Sequence, residues 1–183
     1  MMFQKFAMIS ATAALMAGSA FAANPDVGGA PMFEQKTIVE NAVNSADHTT
    51  LVAAVKAAGL VDTLNSEGPF TVFAPVNSAF EALPAGTVDT LLKPENKDLL
   101  VKVLTAHVVS GDWSAASIAA KAKASPDGFY HFKAVSGDAL SAQVKGRNVY
   151  IYDESGNAAK VTIADVKQSN GVIHVIDHVL VPK

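Results

Sequence analysis

Apolar residues recur with a helical period through most of this chain and with a period of two after about Gly128. No purely helical or purely stranded architecture accommodates both patterns, and that limits the fold more than any other feature. Upstream, Thr37-x-x-Glu40 is a capping box, with a hydroxyl and a carboxylate placed to take orphan N–H groups at a helix start. Leu51, Val55 and Ala58 mark one face of a helix that Gly59 ends. Residues 70–74 form a strand-like run between Gly68-Pro69 and Pro75, and Ser78-x-x-Glu81 predicts a second capped helix. Pro94 suits the first turn of a further helix whose face is Leu99, Leu100, Val103, Leu104 and His107. Residues 114–123 are a last helical stretch, stopped by Pro126-Asp127-Gly128. Downstream, Leu140, Ala142 and Val144 alternate with Ser141, Gln143 and Lys145, as in a half-exposed strand. Val149 and Ile151 alternate with tyrosines, Val161 and Ile163 follow, and Asn170-Gly171 before residues 172–176 predicts a type I′ hairpin. Helices first and strands last predict an α+β fold with an antiparallel sheet.

Residues 1–22 form a separate unit: Lys5, then an apolar stretch from Phe6 to about Ala17, then Ala20-Phe21-Ala22. That is the pattern of a secretory signal cut after Ala22. The stretch is too short to cross a bilayer, which takes about 20 residues. The chain is therefore expected to be exported, to periplasm, medium or cell surface, and not to span a membrane. Two prolines and Gly28-Gly29 make residues 23–36 a flexible leader, leaving 37–183 as one domain. The absence of cysteine rules out disulfides, thiol catalysis and cysteine-held zinc. A net charge of −3 without a basic run argues against nucleic acid as a partner.

No catalytic constellation is present: there is no G-x-S-x-G elbow, no H-E-x-x-H, no phosphate loop and no dinucleotide fingerprint. His174 and His178 have a spacing that grips zinc on a helix, but their β-branched surroundings predict a strand. Four strand residues span about 13 Å, whereas two nitrogens on one zinc stand within about 4 Å. His107, on or just beyond an apolar helix face, is expected to be a buried, hydrogen-bonded core residue. No enzyme activity, metal or cofactor is expected.

Two segments are distinctive. Gly68-Pro69-Phe70-Thr71-Val72-Phe73-Ala74-Pro75-Val76-Asn77-Ser78-Ala79-Phe80 closely resembles the first signature block of the fasciclin domain. Residues 164–177, containing Asn170, Gly171, His174 and Asp177, resemble its second block, and Val179-Leu180-Val181-Pro182 closes as that family does. His107-Val108-Val109 matches the tail of the family's middle motif, with Ala106 where a tyrosine is usual. The resemblance implies a two-sheet β-wedge with helices packed across and beside it. Within it Thr71, Phe73, Pro75, Asn77, Phe80, His107, Asn170, Gly171, His174 and Asp177 are motif residues of structural character. Asn77 or Ser78 is expected to cap the helix that follows the strand, and Asp177 to accept N–H groups in the turn before Val179.

The resemblance also implies a secreted, non-enzymatic adhesion or protein-interaction module, whose partner is a cell-surface or matrix protein or glycan. Asn96-Lys97-Asp98-Leu99-Leu100 stands where animal members of the family carry an element implicated in integrin contact. An acid-plus-apolar patch there competes with a plain helix start that buries both leucines. The other function considered is carriage of a small apolar ligand.

Overall fold

The computed structural model describes residues 24–183; the expected signal sequence lies outside them. Helix α1 (Ile38–Ala42) starts at the expected capping box: the Thr37 hydroxyl accepts the Glu40 N–H at 3.3 Å and the Glu40 carboxylate accepts the Thr37 N–H at 2.8 Å. Helix α2 (Thr49–Ala58) ends at Gly59, which adopts the left-handed conformation (φ 74°) a side chain would resist. Helix α3 (Val61–Asn65) leads to strand β1 (Phe70–Pro75), then α4 (Asn77–Glu81), α5 (Thr87–Leu91), a 3₁₀ turn at Pro94–Asn96, and α6 (Lys97–Thr105). Strand β2 (Val108–Ser110) separates α6 from α7 (Ala115–Ala124), which Ser114 caps by accepting the Ser117 N–H. Five strands follow: β3 (Phe129–Lys133), β4 (Ala139–Lys145), β5 (Asn148–Tyr152), β6 (Ala158–Gln168) and β7 (Gly171–Ile176).

The strands form one seven-stranded sheet in the order β2-β1-β7-β6-β5-β4-β3. Strand β6 makes it a wedge. Its first residues pair with β5 and its remainder with β7, with register shifts between Val161 and Ile163 and between Ile163 and Val166. Bulges bend and twist a strand, so one long strand belongs to both halves. The turn after β3 nearly closes the ring, because the Val135 N–H donates to the Val108 carbonyl of β2 at 2.7 Å.

One pairing departs from the antiparallel expectation. Strands β1 and β7 run parallel, from Phe70↔Gly171 to Pro75↔Ile176. The two signature blocks are thus adjacent strands. Alternation within a strand reports which faces are buried, not the direction of a partner a hundred residues away. Both faces of this central pair are covered. Val72, Ala74, Ile173 and Val175 pack with α1–α6, while Phe73 and Ile176 pack with Leu140, Ala142, Ile151 and Ile118 of α7.

Residues 24–36, expected as part of a flexible leader, are packed against the domain. Val27 and Met32 are buried in the helical core, and Val27 and Ala30 close a tight turn around Gly28-Gly29. Asn24 pairs with the backbone of Lys167, accepting its N–H and donating to its carbonyl, on the side of β6 that β5 has left. The helix start at 97–105 also differs: Leu100, Val103 and Leu104 are buried, but Leu99 is 50% exposed. It sits about 100° round the helix from Leu100, beyond the buried stripe.

Candidate functional site

The start of α6 divides the five candidate interaction residues in two. Asn96 donates its amide to the Thr90 carbonyl at 2.7 Å and so ties α6 to the end of α5, while Leu100 sits in the core. Lys97, Asp98 and Leu99 stand together in solvent. Lys97 Nζ lies beside Gly59, at the C-terminal end of α2, where a cation is favoured by the helix dipole. An acid, a base and an uncovered leucine therefore occupy one helical turn. Leu99 is not needed by the core, which removes the objection that both leucines had to be inward.

The motif residues are used internally. Thr71, fully buried, donates to the Gly111 carbonyl at 2.7 Å and accepts the Trp113 N–H at 3.0 Å, fastening the loop between β2 and α7. Phe73 stacks on His174, and Pro75 and Phe80 lie buried at either side of the loop into α4. Asn77 does not cap its own helix, and neither does Ser78; Val76 occupies that position without a side-chain bond. Instead, Asn77 accepts the Thr50 N–H at 3.0 Å and donates to the Ala46 carbonyl at 2.8 Å, capping α2 from a distance. A cap supplied across space leaves no local spacing to read.

The hairpin between β6 and β7 turns at Ser169-Asn170, with Gly171 already in β7. Neither loop residue has positive φ, so the turn is not type I′. Asn170 is spent on tertiary bonds: it accepts the Ile38 N–H and donates to the carbonyls of Leu64 and Ser66. Gly171 is required because a Cβ there would lie 2.0 Å from the Phe70 carbonyl oxygen. Asp177 accepts the Lys160 N–H at 2.8 Å, bracing β6 rather than the turn before Val179.

Three histidines are buried, and their tautomers follow from their partners. His107 Nδ1–H donates to the Val103 carbonyl at 2.8 Å, and its Nε2 accepts the Leu180 N–H at 2.8 Å. Burial pushes its pKa down to about 4, so the ring is neutral at pH 7. His174 Nε2–H donates to the Trp113 carbonyl at 2.7 Å and Nδ1 accepts the Asp165 N–H at 3.2 Å. His48 bridges Ser45 and the Ala74 carbonyl. Burial lowers both pKa values as well. His178, by contrast, is exposed beside Asp177, so it and His174 face different surroundings.

Three features had no motif to reveal them. Buried Asp153 accepts N–H groups from Ser155, Asn157 and Val181 and the Asn157 amide, clamping the C-terminal segment; the Asp-Glu-Ser-Gly-Asn turn was its one local signal. Asn41 and Gln168 form a buried amide pair between α1 and β6. Asp165 takes a left-handed φ of 58° at the bulge of β6 and accepts the Ala115 N–H at the start of α7.

An apolar cavity of about 70 Å³ lies among Ile38, Val55, Leu60, Leu64, Phe70 and Val72. A cavity of about 150 Å³ is the size that holds benzene. This one offers no seat for a pigment-sized ligand.

Residues 46–182 match the fasciclin domain family. The chain is 54% identical over 146 residues to protein sll1483 of Synechocystis sp., covering 80% of this chain and 73% of that protein. It is 36% identical over 168 residues to the immunogenic protein MPB70 of Mycobacterium bovis, covering 88% and 77%. Its fold superposes with a TM-score of 0.69, at 18% identity, on the FAS1 domain pair of the insect cell adhesion molecule Fasciclin I. That superposition covers 79% of this chain and 50% of the insect chain.

Proposed function

Because this chain belongs to the fasciclin domain family, we propose that it is an exported, non-enzymatic module of adhesion or protein interaction at a cell surface, periplasm or matrix. The observation that carries this reading is the start of α6. There Asp98 and Leu99 lie exposed side by side, while both motif histidines and Asn170 are consumed in the interior and Asn77 in capping α2. A helix that exposes a leucine beside a carboxylate offers a partner both an apolar contact and a charge. The insect protein that shares the fold is named a cell adhesion molecule, which supports the same class of role. Lys5, the apolar stretch after it and Ala20-Phe21-Ala22 support export.

The test is attachment. Wells coated with the purified domain are expected to retain cells of the source organism, and the double variant Asp98→Ala, Leu99→Ala is expected to retain few. Equal retention by both proteins would remove the α6 patch from the account.

A further inference from the structure

Strands β3, β4 and β5 bury alternate side chains beneath α7 and turn the others outward. The inner set includes Tyr130, Leu140, Ala142 and Ile151, packed with Ile118 of α7. On the outer face the register sets Phe129 opposite Gln143, Gln143 opposite Tyr150, and Tyr150 opposite Lys160. This row crosses four strands, a span of about 14 Å. Beside it, His131 lies opposite Ser141 and Ser141 opposite Tyr152. The Phe129 ring meets Tyr152 edge-on at 5.5 Å and stacks with His131 at 6.1 Å. The Tyr152 hydroxyl donates to Gln143 Oε1 at 3.2 Å, and Lys145 Nζ stands 5.6 and 5.5 Å from the Tyr150 and Tyr152 rings.

Phe129, Tyr150 and Tyr152 are each half-buried, and aromatic rings gathered on one sheet face, unlike single apolar side chains, call for an explanation. The charge around them is mixed, with cations in excess. Lys133, Lys145, Arg147 and Lys160 stand on the face or at its rim, in a chain whose net charge is −3. The nearby carboxylates are fewer, and each is hydrogen-bonded: Asp127 with His131 and the Phe129 N–H, Glu154 with the Ala139 N–H, and Asp177 with the Lys160 N–H. Rings held on a rigid sheet, with amide and hydroxyl groups between them, suit the C–H faces and hydroxyls of sugars. An aromatic face is electron-rich and attracts C–H groups polarised by neighbouring oxygens. The cations suit carboxylates or sulfates. The length of the row suits a run of sugar rings rather than one.

We propose that the outer face of β3–β6 binds an acidic polysaccharide, with Phe129, Tyr150 and Tyr152 against the sugar rings and Lys145 and Lys160 on its anionic groups. This rests on the surface-module reading above, and adds to it a second surface and the chemistry of its partner.

Affinity electrophoresis of the protein through gels holding polygalacturonate, dextran sulfate or neutral dextran tests it, with a single-stranded oligothymidylate titrated separately. Retardation by polygalacturonate, dextran sulfate or both, and not by dextran, is expected, and which of them acts distinguishes a carboxylate from a sulfate ligand. Tyr150→Ala with Tyr152→Ala is expected to weaken binding about tenfold or more. Lys145→Glu, on an exposed side chain, is expected to weaken it comparably and keeps the test decisive if the tyrosine variant folds poorly. Asp98→Ala is expected to bind as the wild type does, which separates this face from the α6 patch. No retardation in either anionic gel, undiminished binding by folded tyrosine variants or by Lys145→Glu, or tighter binding of the oligothymidylate would each overturn the proposal.

Discussion

Replacing His107 with alanine tests whether the motif histidine is a structural part. The ring is 2% exposed and holds two chain segments together, the end of α6 through Val103 and the C-terminal segment through Leu180. Without it the Leu180 N–H, itself buried, has lost its acceptor; an orphaned donor costs about 1–3 kcal/mol. The space vacated by the ring adds to this, for a total of about 3 kcal/mol at pH 7. At 2–4 °C per kcal/mol for a domain this size, melting should fall by about 6–12 °C. The pH dependence supplies a second reading. The folded-state pKa is pushed down from 6.5 to about 4, so the unfolded chain binds the proton first as pH falls. The stability contributed by the neutral ring is complete above about pH 6.5 and is lost as pH falls towards 4, by about 3 kcal/mol in all. The alanine variant lacks this site and loses nothing through it, while acid effects from His48 and His174 are common to both proteins. The gap in stability between wild type and variant should therefore close between pH 7 and pH 4. Denaturant melts at both pH values measure it. A gap below about 0.5 kcal/mol at pH 7, or one that does not change with pH, would refute the reasoning.

Gly171→Ala should prevent β1 and β7 from pairing, because its Cβ would meet the Phe70 carbonyl oxygen; a soluble variant with wild-type circular dichroism and melting would contradict this. Ala106, 1% exposed, stands where the family usually has tyrosine, and Ala106→Tyr should overpack this chain and lower its stability by about 1–3 kcal/mol or more in a denaturant melt. N-terminal sequencing of protein recovered from the source should begin at Ala23, and a sequence beginning at Met1 would remove the export signal from the account.

Features that depend on neighbours in sequence were legible in it. The Thr37–Glu40 box, the Gly59 stop, the Ser114 start of α7 and the alternation through β4 and β5 each arise within a few residues. Features that depend on distant partners were not. Asn77 caps a helix that begins twenty-eight residues earlier in the chain, at Thr49, and the parallel pairing of β1 with β7 joins Phe70 to Gly171, far along the chain. The packing of Asn24 has no local signal: its partner is a length of β6 that β5 leaves free only after the wedge bends. The α6 patch was visible as five consecutive residues, but its division into exposed and buried halves needed the helix phase. The aromatic face was invisible until the register of β3, β4 and β5 brought Phe129, Tyr150 and Tyr152 to one side.

The interior of this domain holds the family's signature residues, and the contacts proposed for it lie on its surface. Cell attachment and melting temperature, measured on the same preparations of wild type, His107→Ala and Asp98→Ala with Leu99→Ala, test it most directly. His107→Ala should melt lower and attach in proportion to its folded fraction, while the Asp98 and Leu99 variant should melt as wild type and not attach. A His107→Ala protein with wild-type melting and no attachment, beside an Asp98 and Leu99 variant that attaches fully, would contradict it.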